Sequence, residues 1–168
     1  MSTDRDPRIK NLRDIQPIDM THGAKFGGVR RRLAAEAGSR ELGCSWYELA
    51  PGRQSYPHHY HFANEEAFFI LSGNGTLRLG AGRFPVGAGD YIACPAGSEA
   101  AHALINTGSE PLRYLSFSTV NGTDVFVYPD SRKVGVAGGA DMHKGLKAAP
   151  FFRVFEDGPG VDYFQGEE

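Results

Sequence analysis

Cysteine is scarce in this sequence, and long apolar runs are missing. Cys44 and Cys94 are the only cysteines, and no CxxC spacing occurs. This excludes a disulfide-based scaffold and favours a reducing compartment. The longest apolar run covers residues 67–71, far short of the about 20 residues that a membrane-spanning helix needs. The first 20 residues hold no apolar segment typical of a secretion signal. We therefore expect a cytoplasmic protein that has no membrane partner.

Excess charge of either sign is also lacking. The formal net charge is −2, from 18 basic and 20 acidic residues, which provides no general attraction to nucleic acid or to an anionic membrane. The densest basic run is residues 30–32, and we interpret these arginines as a solvated strand end or turn rather than a phosphate-binding patch. No helix-turn-helix pattern precedes the central region. Nucleic acid is therefore not an expected partner.

Glycine and proline, in contrast, are abundant and regularly placed. The chain has 22 glycines and 10 prolines, and clusters of them separate short stretches rich in β-branched and aromatic residues. The strand candidates cover residues 44–50, 66–71, 76–79, 83–86, 91–94, 102–106 and 112–120. Short strands at such regular spacing, with no helical periodicity between them, predict an all-β barrel or sandwich.

The flanking regions are less regular, so we predict a domain organisation in three parts. Residues 1–25 form a polar arm, residues 26–128 form the barrel, and residues 129–168 form an extension that packs on the barrel or on a partner. The barrel closes with one more strand at 124–128, and the glycine-rich residues 135–139 are predicted to be a loop.

Three of the six histidines lie within four positions, at His58, His59 and His61. Successive side chains alternate between the two faces of a strand, so His59 and His61 project together, while His58 points away and is expected to be exposed. Two neutral imidazoles on one face are well placed to chelate a metal ion. A short turn after them would bring the Glu66 carboxylate to the same place, with Glu65 as the alternative.

This histidine pair belongs to a longer pattern. Six residues separate Gly52 from His59, and one separates His59 from His61. Four more precede Glu66, and a further six precede Gly73. The pattern resembles the first signature motif of the cupin superfamily, in which a glycine, His-x-His, a glutamate and a second glycine follow one another at nearly these spacings. The spacer after Gly52 is one residue longer than in that motif and lies in a loop.

A second pattern lies downstream. Five residues separate Gly89 from Pro95, and four separate Gly97 from His102. Asn106 follows after three more. This run resembles the second cupin motif, except that its spacer before the histidine has four residues instead of two. Because an even insertion preserves the alternation of a strand, His102 still faces the same side. The two motifs together cover residues 52–106.

The resemblance implies a double-stranded β-helix, the jelly-roll barrel of the cupins, that binds one divalent metal ion. The implied metal ligands are His59, His61, Glu66 and His102. Manganese, iron, cobalt and nickel ions commonly take six ligands, which leaves two adjacent positions for a small molecule, whereas zinc prefers four. The sequence does not choose among these ions. The resemblance also favours a homodimer, since a barrel of this kind has edge strands that a second copy can cover.

Strand alternation predicts which side chains surround the ion, because positions two and four residues beyond a ligand share its face. The predicted substrate pocket consists of Phe68, Ile70, Leu104 and Asn106. The resemblance implies an enzyme for the oxygenation, decarboxylation or isomerisation of a small organic molecule. The alternative is a binding or sensing protein without turnover, because cupin barrels serve both purposes. No general acid or base stands out besides tyrosines and Glu65, so no catalytic residue is assigned.

Overall fold

The structure of the chain is a computed structural model, and it describes residues 5–141 and 143–167. Their regular secondary structure is mostly β-strand, with short 3-10 turns and one four-residue α-helix, α1 (Leu33–Glu36). In chain order the strands are β1 (Ile18–Asp19), β2 (Gly28–Arg31), β3 (Leu42–Leu49), β4 (Tyr60–His61), β5 (Glu66–Ser72), β6 (Asn74–Leu79), β7 (Gly82–Gly87), β8 (Tyr91–Cys94), β9 (His102–Ile105), β10 (Leu112–Thr119), β11 (Thr123–Tyr128), β12 (Lys133–Gly138) and β13 (Phe151–Glu156). The predicted all-β class is confirmed.

The strands form three antiparallel sheets. The six-stranded sheet has the order β1–β2–β3–β10–β5–β8, the four-stranded sheet the order β13–β12–β11–β4, and the three-stranded sheet the order β7–β6–β9. Many neighbours are distant in sequence. β3, for example, pairs with β10 along all eight residues of both strands. The chain therefore winds back and forth between sheets, and residues from separate segments meet at the sheet junctions.

Glycine marks the points where the chain leaves one sheet for another. Between β5 and β6, Gly73 has a φ of +83°, a conformation that side chains with a Cβ rarely adopt. A Cβ at this position would also lie 2.6 Å from the carbonyl oxygen of Pro111. The close approach lets β5 remain in the six-stranded sheet while β6 enters the three-stranded sheet.

The interior is built from alternate residues of these strands. In β5, Phe68 is 7% exposed and Ile70 is fully buried, whereas Leu71 beside it is 42% exposed. Adjacent residues of a strand point to opposite faces, so this alternation fixes which face of the sheet covers the core. The main core cluster consists of Tyr47, Leu49, Phe68, Ile70, Leu77, Val86, Ile92, Cys94, Ala100, Leu104, Leu112 and Tyr114.

The prediction of a loop at residues 135–139 is wrong for residues 135–138, because these belong to strand β12, which ends at Gly138. Gly135 pairs directly with Phe126 of β11, and a Cβ at position 135 would overlap the Phe126 ring. Phe126 itself is 1% exposed and stacks on Phe152 at 6.0 Å between ring centroids. The glycine is therefore needed inside a strand, where it provides space for an aromatic ring rather than a turn.

Gly135→Ala is expected to destabilise the fold by about 1–3 kcal/mol, because the added methyl group displaces a fully packed ring. Gly138→Ala is the matched control on the same strand. A Cβ there makes only an ordinary contact, 3.5 Å from Phe151 Cβ. Urea denaturation of both variants measures the difference, and equal midpoints for the two would contradict this account of Gly135.

The flanking regions add strands at the edges of the sheets. β1 pairs with β2 at one end of the six-stranded sheet, and β12 and β13 extend the sheet that contains β4 and β11. Part of the region after residue 128 therefore lies in the sheet that carries one of the predicted metal ligands. The boundaries at residues 25 and 128 stay predictions. Within residues 5–141 and 143–167, no helix has both the length and the apolar character needed to cross a bilayer.

Candidate metal centre

The predicted ligands lie where the three sheets meet. His61 ends β4 and pairs with Phe126 of β11. His59 lies just before β4, and its backbone is bonded in both directions to that of His102, with N to O distances of 3.1 and 2.8 Å. Glu66 begins β5, the neighbour of β8 and β10 in the six-stranded sheet. Each sheet thus supplies at least one of the four side chains.

The longer spacer before His102 is accommodated by a 3-10 turn, Ser98–Ala100. Before the turn, Gly97 has a φ of 118°, and its N–H donates to the carbonyl oxygen of His61 at 2.8 Å. This bond ties the start of the turn to β4. The two extra residues therefore form a compact turn beside the site and leave His102 directed toward Glu66.

The three imidazoles converge on one carboxylate oxygen of Glu66. Glu66 Oε2 is 3.7 Å from His59 Nε2, 3.7 Å from His61 Nε2 and 2.9 Å from His102 Nε2. The ligand atoms of His59, His61 and Glu66 all lie within 4.8 Å of one another, a spacing that suits a metal ion. The side chains of His59 and His61 are each 12% exposed, that of Glu66 is 19% exposed and that of His102 4%, so the cluster is largely shielded from solvent.

Hydrogen bonds on the far side of each imidazole fix its orientation. The Nδ1 atoms of His59 and His102 lie 2.8 and 2.9 Å from the carbonyl oxygens of Pro57 and Ala100, and the Nδ1 of His61 lies 2.5 Å from Asp124 Oδ2. All three partners are acceptors, so each Nδ1 carries the proton and donates. The three Nε2 atoms are thereby left to present lone pairs to a metal ion, the arrangement that oriented histidine ligands adopt.

Electrostatics in the cluster reflect a buried carboxylate among imidazoles. Burial would raise the pKa of Glu66, but the His102 hydrogen bond and the nearby imidazoles lower it to about 2. Burial also lowers the pKa of His59 to about 4. For His102, burial is outweighed by hydrogen bonds with Cys94 and Glu66, which raise its pKa to about 10. Without an ion, His102 Nε2 carries a proton and donates a hydrogen bond to Glu66. A divalent cation can take the place of that proton between the two side chains.

Metal binding is expected to release about one proton per ion at pH 8, because the ion displaces the proton of His102, whose pKa is about 10. Protons and metal compete for Nε2, so affinity rises by about tenfold per pH unit up to pH 10. Calorimetry in Tris and in HEPES at the same pH gives the proton count from the two enthalpies. Zero released protons at pH 8 would contradict the displacement of a His102 proton by the ion.

Asp124 is a residue of this site that the sequence did not indicate. It is 2% exposed, and besides His61 it accepts hydrogen bonds from the backbone N–H of Ala63 at 3.0 Å and from Asn64 Nδ2 at 2.8 Å. Burial would raise the pKa of Asp124, but its bonds to His61, Ala63 and Asn64 lower it, so the carboxylate stays charged. Asp124 holds the His61 ring in place. The only signal in the sequence is an acidic residue at the start of a predicted apolar strand.

Asp124→Asn is expected to weaken metal binding about 10- to 100-fold, since a carboxamide accepts fewer hydrogen bonds than the carboxylate and leaves His61 poorly oriented. Asp157→Asn serves as the control, because Asp157 is an exposed residue just after β13 and the charge change is identical. Competition with a fluorescent chelator measures both affinities. Equal affinities for the two variants would remove Asp124 from the site.

The expectation that His58 is exposed is wrong. His58 is 4% exposed, and its Nε2 lies 3.0 Å from the carbonyl oxygen of Ala101. Its Nδ1 has no hydrogen-bond partner among the described residues, although Asp130 Oδ1 is 3.9 Å away. Alternation does direct His58 away from the metal cluster, but it lies there against Ala101 and against Asp130 of the 3-10 turn Pro129–Ser131.

The predicted pocket residues are all buried, at different distances from the cluster. The Phe68 ring lies edge-on to His102, with ring centroids 5.3 Å apart. Ile70 and Leu104 belong to the main core cluster and are 0% and 1% exposed. Phe68 is therefore the member of this set that directly contacts a predicted ligand.

The Asn106 side chain is bonded to the backbone of two neighbouring segments. Its Nδ2 donates to the carbonyl oxygens of Leu49 and Glu110 at 2.8 and 2.9 Å, and its Oδ1 accepts from the N–H of Gly108 at 3.0 Å. These bonds connect the end of β3 to the turn before β10. Among the described residues, the Asn106 side-chain amide therefore bonds to backbone groups through both Nδ2 and Oδ1.

Two aromatic residues beside the cluster and one arginine of the neighbouring sheet were not predicted to have a role here. Tyr56 and Tyr128 lie beside His59, with ring centroids 6.2 and 5.9 Å away. The interpretation of Arg30 as a solvated residue is wrong, because its Nε donates to Ser45 Oγ, a buried group of β3, at 3.1 Å. Arg30 lies opposite Tyr47 in the paired strands, and therefore on the inward side of the sheet.

The fold and the site together define a class, the double-stranded β-helix that carries a histidine and glutamate cluster between its sheets. Residues 45–118 match the family described as "Cupin domain". These residues therefore form a cupin domain. This confirms the resemblance read from the two motifs, and it confirms the double-stranded β-helix as the fold.

Similar proteins extend the comparison beyond that segment. A provisionally named sugar phosphate isomerase from Acidithiobacillus ferrooxidans is 24% identical, with 89% of this chain and 92% of that chain covered and a TM-score of 0.77. A sugar phosphate isomerase of the cupin superfamily from Silicibacter pomeroyi is 22% identical, with 91% of this chain and 96% of that chain covered and a TM-score of 0.74. At these identities the similarity shows the fold, including the flanking strands.

One curated relative is similar in sequence. An uncharacterized protein of Methanocaldococcus jannaschii is 37% identical over 60 residues, which are 36% of this chain and 46% of the relative. This chain thus spans less than half of the curated relative that it matches.

Proposed function

We propose that this cupin binds one divalent metal ion through His59, His61, Glu66 and His102. The observation that carries the proposal is the convergence of three Nε2 atoms on Glu66 Oε2, with every Nδ1 held by an acceptor on its far side. Three neutral imidazoles and one carboxylate suit manganese, iron, cobalt, nickel or zinc. Because the cluster is largely shielded from solvent, the attraction between the ion and each ligand is stronger than it would be in water.

We further propose that the protein is a metal-dependent enzyme acting on a small organic molecule, as an oxygenase or as a decarboxylase or isomerase. An ion with six positions keeps two for substrate and polarises the groups bound there. The chain's own residues orient the ligands, exclude water through Phe68 and the core behind it, and place the Tyr56 and Tyr128 rings beside His59. The fold shared with sugar phosphate isomerases supports the isomerase alternative.

A binding or sensing protein without turnover is the second candidate. One observation favours it: the two buried carboxylates at the site, Glu66 and Asp124, are both bonded to histidines. Neither is free to transfer a proton to or from a substrate.

Metal content is the first test. Protein purified without a nickel column should contain about one ion per chain, and EDTA should lower its melting temperature, because an ion that binds only the folded state stabilises it. Substoichiometric metal, together with a melting temperature that EDTA leaves unchanged, would overturn the metal centre.

Turnover is the second test. The Fe²⁺ form is assayed for oxygen consumption with phenols, thiols and short carboxylic acids, and the Mn²⁺, Co²⁺ and Ni²⁺ forms for substrate loss by NMR. The enzyme proposal expects turnover in one of these assays. Ligand binding measured by calorimetry, without turnover in any form, would favour the binding protein.

We also infer a homodimer in the cytoplasm. The strand β13 is an edge strand, and its side chains Phe151, Val154 and Phe155 are 48%, 44% and 48% exposed. An apolar edge of this kind is suited to pairing with a second copy. Light scattering after size exclusion should give twice the chain mass of 18.3 kDa, and a monomer mass at micromolar concentration would contradict the inference.

A further inference from the structure

Arg30 is a cation on the inward side of the six-stranded sheet. It lies on β2 opposite Tyr47 of β3, and Tyr47 is only 4% exposed. The Arg30 guanidinium lies over the Tyr47 ring, 5.5 Å from its centroid, and its Nε donates to Ser45 Oγ at 3.1 Å. The guanidinium is thus held by an aromatic face and a hydroxyl, in a fixed position rather than in open solvent.

The positive charge of Arg30 is not balanced by a carboxylate. Within residues 5–141 and 143–167, no acidic side chain lies within 4.0 Å of this guanidinium, whereas Arg78 is paired with Asp130 at 2.5 Å and Arg113 with Glu48 at 2.6 Å. Partial burial of an unpaired charge costs free energy, and a cation–π contact offsets only part of it. A guanidinium has five N–H donors, so Arg30 retains donors for an anion after Ser45 is bonded.

Tyr56 connects Arg30 to the metal centre. Its hydroxyl is 3.0 Å from the hydroxyl of Tyr47, and it also interacts with the Arg30 side chain. On its other side the Tyr56 ring lies 6.2 Å from the ring of His59. One aromatic side chain therefore lies next to both the cation and a predicted metal ligand.

We propose that the Arg30 guanidinium and the Tyr56 hydroxyl bind a carboxylate group of the small molecule whose other end is held by the metal ion. This proposal rests on the metal-dependent function proposed above and specifies its substrate class. The planar fork of arginine donors matches a carboxylate in two parallel hydrogen bonds. One cation balances the single charge of a carboxylate, whereas a phosphomonoester carries nearly two charges at neutral pH.

The experiment uses catechols, because a diol can take two adjacent positions on a six-coordinate ion. The probes are 3,4-dihydroxybenzoate, 3,4-dihydroxyphenylacetate and 3-(3,4-dihydroxyphenyl)propanoate, which place a carboxylate at three distances, and 4-methylcatechol, which has none. A fifth probe, 3,4-dihydroxybenzylphosphonate, replaces the carboxylate by a doubly charged group. Dissociation constants are measured by calorimetry on the full chain loaded with Co²⁺ and on the metal-free chain.

At least one of the three carboxylates is expected to bind the Co²⁺ form about tenfold or more tightly than 4-methylcatechol, the strength typical of charge-assisted hydrogen bonds. Arg30→Met should abolish this preference and leave the affinity for 4-methylcatechol unchanged. Arg113→Met, which removes a guanidinium from the outer face of the same sheet, should preserve the preference. Arg30→Lys keeps the charge without the paired donors and should retain only part of it.

Each of the other possible outcomes contradicts a particular part of the proposal. Failure of every probe to bind the Co²⁺ form more tightly than the metal-free chain overturns this proposal, whereas failure of the chain to retain Co²⁺ overturns the metal centre as well. Intact 4-methylcatechol binding, with no preference for a carboxylate at any length, overturns the anion site alone. If Arg30→Met weakens the binding of all probes equally, Arg30 has a structural role only. If Arg30→Met does not fold, Arg30→Lys decides: an unchanged carboxylate preference in that variant overturns recognition through two parallel hydrogen bonds. A phosphonate bound more tightly than every carboxylate overturns the substrate class.

Discussion

Glu66→Gln is expected to lower the affinity for a divalent ion by about a hundred- to a thousandfold. A complete structural zinc site supplies about 10–16 kcal/mol of apparent binding free energy, so one ligand of four accounts for roughly 3 kcal/mol, or more than a hundredfold. The glutamine has the shape of glutamate but no charge. Because Glu66 Oε2 lies within 3.7 Å of all three imidazoles, no other described carboxylate is placed to substitute for it.

Glu65→Gln is the control for this variant. Glu65 is exposed, and its backbone N–H bonds to Thr119 Oγ1, so the substitution changes the same charge one residue away. Isothermal titration with Co²⁺ on both variants gives the affinities, and thermal melts of the metal-free proteins show whether either has lost its fold. Retention of wild-type affinity by a folded Glu66→Gln variant would require a different carboxylate ligand.

Ile70→Ala is expected to destabilise the protein by about 2–5 kcal/mol, the range for truncating a large aliphatic side chain in a core. Ile70 is fully buried and packs in the main core cluster behind the site. Its neighbour Leu71 is 42% exposed, so Leu71→Ala should change the stability by no more than about 0.5 kcal/mol.

Urea denaturation followed by circular dichroism compares the two variants. The test is sensitive to register, because a shift of β5 by one residue would exchange the environments of positions 70 and 71. A larger loss of stability in Leu71→Ala than in Ile70→Ala would show that the opposite face of β5 covers the core, and Glu66 would then face away from the histidines.

Local patterns were sufficient to predict the strands that carry the site. The motif from Gly52 to Gly73 depends on short spacings within one or two strands, and alternation alone directs His59 and His61 to one side. The altered spacer before His102 also followed local rules, since an even insertion keeps parity. Only the form of that insertion, the 3-10 turn at Ser98–Ala100, required the structure.

The features that sequence reasoning missed depend on contacts between distant segments. Asp124 reaches His61 because β11 pairs with β4, and the buried His58 lies against Ala101 and Asp130, both distant in sequence. Arg30 turns inward because β2 pairs with β3 in a register that sets it opposite Tyr47. No alternation or spacing within one strand reports which other strand will lie beside it, so these contacts were not predictable from local patterns.

The reciprocal backbone bonds between His59 and His102 have a consequence for hydrogen exchange. Each amide donates to the other's carbonyl, and both side chains face the same predicted ion. Local opening that exposes these two amides to deuterium must also separate two ligands, so an ion opposes that opening in proportion to its affinity. Exchange at these two positions should therefore slow as metal is added, while amides on the outermost strand β13 exchange at an unchanged rate. The backbone itself would then report the occupancy of the site, with no substrate present.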